Sequence, residues 1–195
     1  MKVVAFNCSP RWDGNTSKMI GTVLAELEKE GIGTQYIQVG GEPIRSCKVC
    51  GACKKNRDMK CVLEGDKVNS YIQRMAEADG IIIGSPTYFG DVSSEAKALM
   101  DRCGYAGRGG VENPFRRKIG AAVVAARRAG AMHAIDTINH FFTINEMFVV
   151  GSTYWNLSLA KDKGDFEEDE EGVATMVNLG KNMAWGLKRF GGIYE

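Results

Sequence analysis

The chain carries almost no excess charge: 25 Lys and Arg against 24 Asp and Glu leave a formal net charge of +1. Nucleic acids and anionic membranes attract their partners through large fields of one sign, so neither is expected as a partner. No apolar run approaches the roughly 20 residues that a bilayer-spanning helix needs. Residues 1–6 pass straight into Cys8, Ser9 and Pro10 with no long apolar leader or cleavage site. The expected compartment is therefore the cytoplasm, where thiols stay reduced. Histidine is nearly absent, and His133 and His140 stand in no Cys/His or Ser/His arrangement. Both read as helix-surface residues. Two nucleotide signatures are also missing. No Gly-Lys-Ser/Thr closes a Walker loop, and no Gly-x-Gly-x-x-Gly run offers a tightly held dinucleotide a site.

What the chain does have is cysteine, concentrated. Four of its six cysteines, Cys47, Cys50, Cys53 and Cys61, fall within fifteen consecutive residues in the spacing C-x2-C-x2-C-x7-C. A compact run of this kind suits a [4Fe–4S] cluster, because chain wrapped around a small cuboidal group can present thiolates to three corners, with a fourth arriving after a short excursion. Zinc, which usually draws its ligands as two separated pairs, remains an alternative, as do free or redox-active thiols. Disulfides between cysteines at x2 spacing would be strained.

The remaining sequence reads as one compact domain, residues 1–195, with a cysteine-rich insertion at about 41–65. A length of 195 residues with 44% hydrophobic content is enough to bury a core. Strands are expected at 2–7, 34–39, 81–84, 119–125 and 147–150, several of them continuous apolar runs of the kind buried on both faces of a parallel sheet. Between them lie amphipathic helical patterns, such as Met19, Ile20, Val23, Leu24 and Leu27, stopped by Gly31. Asp66 is expected to cap the helix carrying Val68, Tyr71, Ile72 and Met75. Cys103 falls on the inward face of the helix opened by Ser93 and Ser94, and reads as a small buried hydrophobe. Residues 104–114, including Arg108, read as a glycine-rich loop, a flexible lid or connector. The acidic run 165–171 suits the start of a last helix, and is otherwise a solvated face.

Alternating strands and helices predict a doubly wound parallel sheet, whose ligands bind outside the carboxyl ends of the strands. Three loops meet on that rim. The first, residues 9–17, offers hydroxyls and a helix N-terminus to a phosphate, although an ordinary N-cap would look similar. The second, residues 86–90, is an aromatic turn, and the third, residues 126–130, is basic. Together they suit a planar aromatic ligand with a single phosphate tail.

At these residues the chain resembles a known family. The segments Ser9-Pro10-Arg11-x-x-Gly14-Asn15-Thr16-Ser17, Gly84-Ser85-Pro86-Thr87-Tyr88-Phe89-Gly90 and Ala78-Asp79-Gly80-Ile81-Ile82-Ile83-Gly84 resemble the flavodoxin-like, NADPH-dependent FMN reductases. The cysteine motif resembles their iron–sulfur flavoprotein branch. The resemblance implies a five-stranded sheet in the order 2-1-3-4-5 with helices on both faces, and FMN as cofactor. It assigns Ser9, Arg11, Asn15, Thr16 and Ser17 to the phosphate, Pro86, Thr87, Tyr88, Phe89 and Gly90 to the isoalloxazine ring, and Arg127 and Arg128 to the ring edge. It assigns Cys47, Cys50, Cys53 and Cys61 to a [4Fe–4S] cluster that exchanges electrons with FMN. A ferredoxin-type donor, NAD(P)H as substrate, and a homodimer or homotetramer are further expectations. Because the cysteine loop follows the second strand and the phosphate loop the first, both sites are expected on one rim. A reductase without a cluster and a thiol-based redox sensor are the competing readings.

Overall fold

The computed structural model describes residues 1–190. In chain order they form β1 (Lys2–Asn7), α1 (Asn15–Lys29), β2 (Gly33–Gln38), α2 (Ala52–Asn56), α3 (Val68–Glu77), β3 (Gly80–Pro86), α4 (Ser94–Gly107), β4 (Ile119–Ala126), α5 (Ala131–Ile144), β5 (Phe148–Val149), β6 (Leu157–Leu159), α6 (Asp165–Glu168) and α7 (Glu170–Phe190). The strands are ordered β2-β1-β3-β4-β5 and pair in parallel throughout. This is the expected flavodoxin-like α/β architecture.

Two faces of one sheet make two cores, because successive side chains point to opposite sides. Val3, Ala5, Ile82 and Val123 pack under α1 and α7, against Val23, Leu27, Leu179 and Met183. Val4, Phe6, Ile81 and Ile83 pack under α3, α4 and α5, against Tyr71, Leu99 and Ile138. Phe6 is fully buried and meets Tyr71 edge to face at 5.7 Å. Burying a side chain of that size contributes about 1.5–3 kcal/mol. α1 and α7 approach closely at Gly180, where a Cβ would stand 2.8 Å from the Val23 carbonyl oxygen.

Four expectations change. The fifth strand is not a buried run over 147–150: only Phe148 and Val149 pair with β4, and both are exposed. The chain then bulges outward, closed by Asn156 Nδ2 donating to the Val150 carbonyl at 3.1 Å. It returns as β6, which pairs with the far half of β4 through Val124↔Leu157 and Ala126↔Leu159. One edge position is therefore shared by two short strands. Asp66 is not the N-cap of α3. Lys67 occupies that position, and the Asp66 carboxylate is bound by the buried guanidinium of Arg102. Residues 104–107 continue α4 instead of opening a loop. Gly107 is required there because Phe115 lies on the helix, and a Cβ would come within 2.4 Å of its ring. The acidic run is divided between α6 and α7 by Asp169, whose Oδ1 accepts from the Gly172 N–H at 3.0 Å and so caps α7.

Candidate functional site

The carboxyl ends of β1, β3 and β4 open into a cleft of about 140 Å³. It is lined by Ser9, Arg11, Asn15, Thr16, Pro86, Thr87, Tyr88, Ala125, Arg127, Ala160 and Lys161. Its floor is the start of α1. No side chain caps this helix, whose N-cap is Gly14, so the first-turn N–H groups and the positive end of the helix dipole face the cleft. The loop ahead of the helix is held rigidly. Buried Asn7 accepts from the Ser9 N–H at 3.1 Å and donates to Gln38, and Gln38 in turn donates to the Ser9 carbonyl at 2.7 Å. Gly40 leaves room for this loop, since a Cβ there would stand 2.2 Å from the Ser9 carbonyl carbon.

One wall is the turn after β3. Thr87 N–H donates to the Ala125 carbonyl at 2.8 Å, while Tyr88 and Asp91 exchange backbone hydrogen bonds of 2.7 and 3.0 Å. Phe89 and Gly90 are left-handed, with φ of 48° and 84°, which closes the turn tightly. Gly130, at φ 86°, brings the loop after β4 against this turn: a Cβ on it would meet the Gly90 Cα at 2.9 Å. The Thr87 hydroxyl is buried in the cleft wall without a hydrogen-bond partner. A buried hydroxyl left unpaired costs stability, so it marks a position that a ligand atom would satisfy. With Arg11, Arg127 and Lys161 around it, the cleft suits a phosphate-bearing ligand.

The cysteine segment lies elsewhere. Cys47, Cys50, Cys53 and Cys61 line a single small cavity of about 20 Å³, together with Arg102, Tyr105 and Ala106 of α4. All six cysteines are free thiols. Left-handed backbone at Val49, Gly51, Arg57 and Met59 winds the loop around this cavity, a strain that non-glycine residues sustain where the surroundings impose it. Among the described residues, no three Cys, His, Asp or Glu side chains converge on a single metal point. The donor chemistry nonetheless fits a thiolate-bound group, with four sulfurs around one cavity. Burial pushes the Cys53 thiol upward. Cys8 and Cys103 are fully buried, and burial raises both far above the ordinary thiol range, so they remain protonated core residues.

Residues 1–162 match the profile of the NADPH-dependent FMN reductase family. An iron–sulfur flavoprotein of Methanocaldococcus jannaschii is 39% identical over 191 residues, covering 94% of this chain and 96% of its own. One of Methanosarcina thermophila is 32% identical over 191 residues, covering 94% and 93%. The chain belongs to the FMN reductase family, in its iron–sulfur flavoprotein branch. Among solved structures, an archaeal flavodoxin aligns with a TM-score of 0.63 at 18% identity, covering 96% of this chain and 99% of that one. RosB with a bound intermediate aligns at 0.74 and 17% identity, covering 98% and 81%. These two likenesses concern the fold.

Within this family member, the cleft gathers most of the expected residues but not all. Ser9, Arg11, Asn15, Thr16, Pro86, Thr87, Tyr88 and Arg127 line it. The Asn15 side chain is already committed, donating to the Asp162 carbonyl at 2.8 Å and accepting from Gly164 N–H at 3.3 Å. Ser17 turns outward, its hydroxyl accepting from Tyr36 at 3.0 Å. Phe89 stands fully exposed at the tip of the turn. Arg128 lines a neighbouring cleft of about 350 Å³ with Tyr154, Trp155 and Asp169. Lys161, Ala160 and the supporting Asn7 were not anticipated. The first two follow β6, a three-residue strand too short to show a period.

The two sites do not share a rim. α4 starts at the cleft rim, where Ser93 Oγ donates to the Cys8 carbonyl at 2.8 Å. Arg102 and Tyr105, which wall the cysteine cavity, lie about 14 and 18 Å further along the helix at 1.5 Å per residue. The cysteine loop leaves β2 near the rim but then descends the flank of α4, drawn there by Arg102.

Proposed function

We propose that this chain is an FMN-dependent electron-transfer flavoprotein that passes electrons between FMN and a [4Fe–4S] cluster. The observation that carries this reading is the presence, in one chain, of an uncapped helix cleft with an orphaned Thr87 hydroxyl and a separate cavity walled by four free cysteines. The FMN phosphate would be held by the first-turn N–H groups of α1, Ser9 and Thr16, with Arg11, Arg127 and Lys161 supplying positive charge. Pro86, Thr87 and Tyr88 would hold the ring. Cys47, Cys50, Cys53 and Cys61 would hold the cluster. When bound, the flavin supplies two-electron chemistry and the cluster one-electron chemistry. A reduced ferredoxin fits as the donor. NAD(P)H as direct hydride donor is the second reading, supported by the family profile the chain matches.

The separation of the two sites along α4 supports a homo-oligomer, in which the flavin nearest to a cysteine pocket belongs to another copy. Exposed aromatics at Tyr88, Phe89, Tyr154 and Trp155 around the cleft, and an α4/α5 groove of about 680 Å³ running from Asp91 to Arg108 and Lys54, offer surfaces for that copy.

The test is anaerobic purification followed by flavin, iron, acid-labile sulfide and zinc assays on wild type and Cys50→Ser. Wild type should bind FMN and carry iron with sulfide. The variant should lose the iron and keep both FMN and the fold, because the loop lies outside the sheet core. Failure to bind FMN overturns the reading, and one zinc per chain without sulfide replaces the cluster with a structural metal. Rapid mixing with reduced ferredoxin adds the kinetic arm: equal flavin reduction in wild type and variant rules out the cluster as relay.

A further inference from the structure

Arg102 is among the most deeply buried side chains of the protein, 1% exposed on the inward face of α4. A guanidinium stays charged at any physiological pH, so burying one demands compensation. Part of it is visible. One terminal nitrogen donates to the Asp66 carboxylate and to the Arg45 carbonyl, and the other donates to the Leu63 carbonyl. These partners flank the cysteine segment on both sides, so a single side chain ties its entry at Arg45 to its exit at Leu63 and Asp66. The Nε–H is buried with no hydrogen-bond partner. Arg102 also walls the same cavity as all four cysteines, and the Cys61 thiol adjoins its guanidinium.

We infer that Arg102 is a positioning residue for the group bound by the cysteines: its charge offsets the four thiolates, its Nε–H serves the Cys61 sulfur, and together they raise the potential at which the site accepts an electron. The inference rests on the cluster reading of the preceding section. The step concerned is a one-electron reduction in which a donor such as reduced ferredoxin is oxidised by one electron, with no bond made or broken. Added negative charge at the cysteines is stabilised by a cation held in a low-dielectric surrounding, where charges are weakly screened. The Asp66 carboxylate, bound by a terminal nitrogen of the same guanidinium, carries the opposite charge and acts in the opposite sense.

A purely structural staple would not distinguish the two partners, because removing either one breaks the same ion pair. Arg102→Gln, Arg102→Lys and Asp66→Asn are compared by midpoint potential from redox titration monitored by electron paramagnetic resonance, alongside iron and sulfide content and thermal unfolding. Arg102→Gln should lower the potential by a tenfold change in the reduction equilibrium, ~59 mV for one electron, and Asp66→Asn should raise it. Arg102→Lys, which keeps the charge, should lie close to wild type. Shifts of the same sign, or no shift, in loaded variants overturn the inference. Where Arg102→Gln does not load, Asp66→Asn decides it by the same criterion: a rise supports the role and no rise overturns it. Wild-type protein without iron and sulfide would instead remove the cluster reading itself, which the metal assay detects before any potential is measured.

Discussion

Thr16 and Thr87 both face the cleft, yet their hydroxyls are in different situations. Thr87 Oγ1 is buried with no hydrogen-bond partner, whereas Thr16 is not among the buried side chains left unsatisfied. Replacing a buried unpaired hydroxyl by a methyl of the same shape removes a desolvation cost of about 1–3 kcal/mol. Thr87→Val is therefore expected to raise the unfolding temperature of the FMN-free protein while weakening FMN binding. Thr16→Val should weaken binding by about 1–3 kcal/mol, through a lost charge-assisted bond, with no gain in the free protein. Thermal unfolding with and without FMN, together with fluorescence titration, separates the two; a Thr87→Val variant with unchanged affinity would remove that hydroxyl from the site. At this scale the motif marks the loop that lines the cleft but not where each side chain turns. Ser17 and Asn15 stand in the same hydroxyl-and-amide run as Thr16, and α1 geometry alone sends one to Tyr36 and the other to Asp162.

Among the elements, α4 connects the two sites, and it runs on to Gly107, past glycines that read as a connector. Gly104 and Gly107 read as punctuation, yet both lie within α4, and at Gly107 the absence of a side chain leaves the space that the Phe115 ring fills. The competing effects at Gly107 can be compared in size. Alanine would gain about 1 kcal/mol of helix propensity, but a Cβ 2.4 Å from the Phe115 ring forces a displacement costing about 1–3 kcal/mol. The ring is fully buried and packed against Phe141, so it has little room to yield and the clash outweighs propensity. Gly107→Ala should lower stability by up to about 2 kcal/mol in urea unfolding; a stabilised variant would show that Phe115 relaxes freely. Asp66 illustrates the same override. By position it suits a helix cap, yet hydrogen bonds from Arg102 and from the Val68 and Arg45 N–H groups outweigh the upward push of its burial and hold its carboxyl below the usual range.

For the whole molecule, the placement of the two sites sets the terms of function. The cysteine pocket lies some 14–18 Å along α4 from the cleft rim, and on the proposed reading that spacing makes assembly part of electron transfer, so sedimentation equilibrium should return a dimer or tetramer at micromolar concentration. A monomer that still passes electrons from ferredoxin to its flavin would contradict this. The strand order was implied by the family resemblance, whereas the strands, the helices, the two-sided core and the loop that lines the cleft were legible in the amino-acid order, because buried parallel strands are continuous apolar runs and helices repeat every 3.6 residues, both of them local signals. So was the cysteine motif, whose spacing is itself the chemistry. Tertiary structure alone decided where that motif sits, how β5 and β6 divide one edge, and which arginine enters the cleft. Each of these depends on contacts between residues far apart in the chain, such as Asp66 with Arg102, 36 positions away, or Ala126 with Leu159. A charge pair or a three-residue strand leaves no periodic trace, and its partner is chosen by the packing of the elements between.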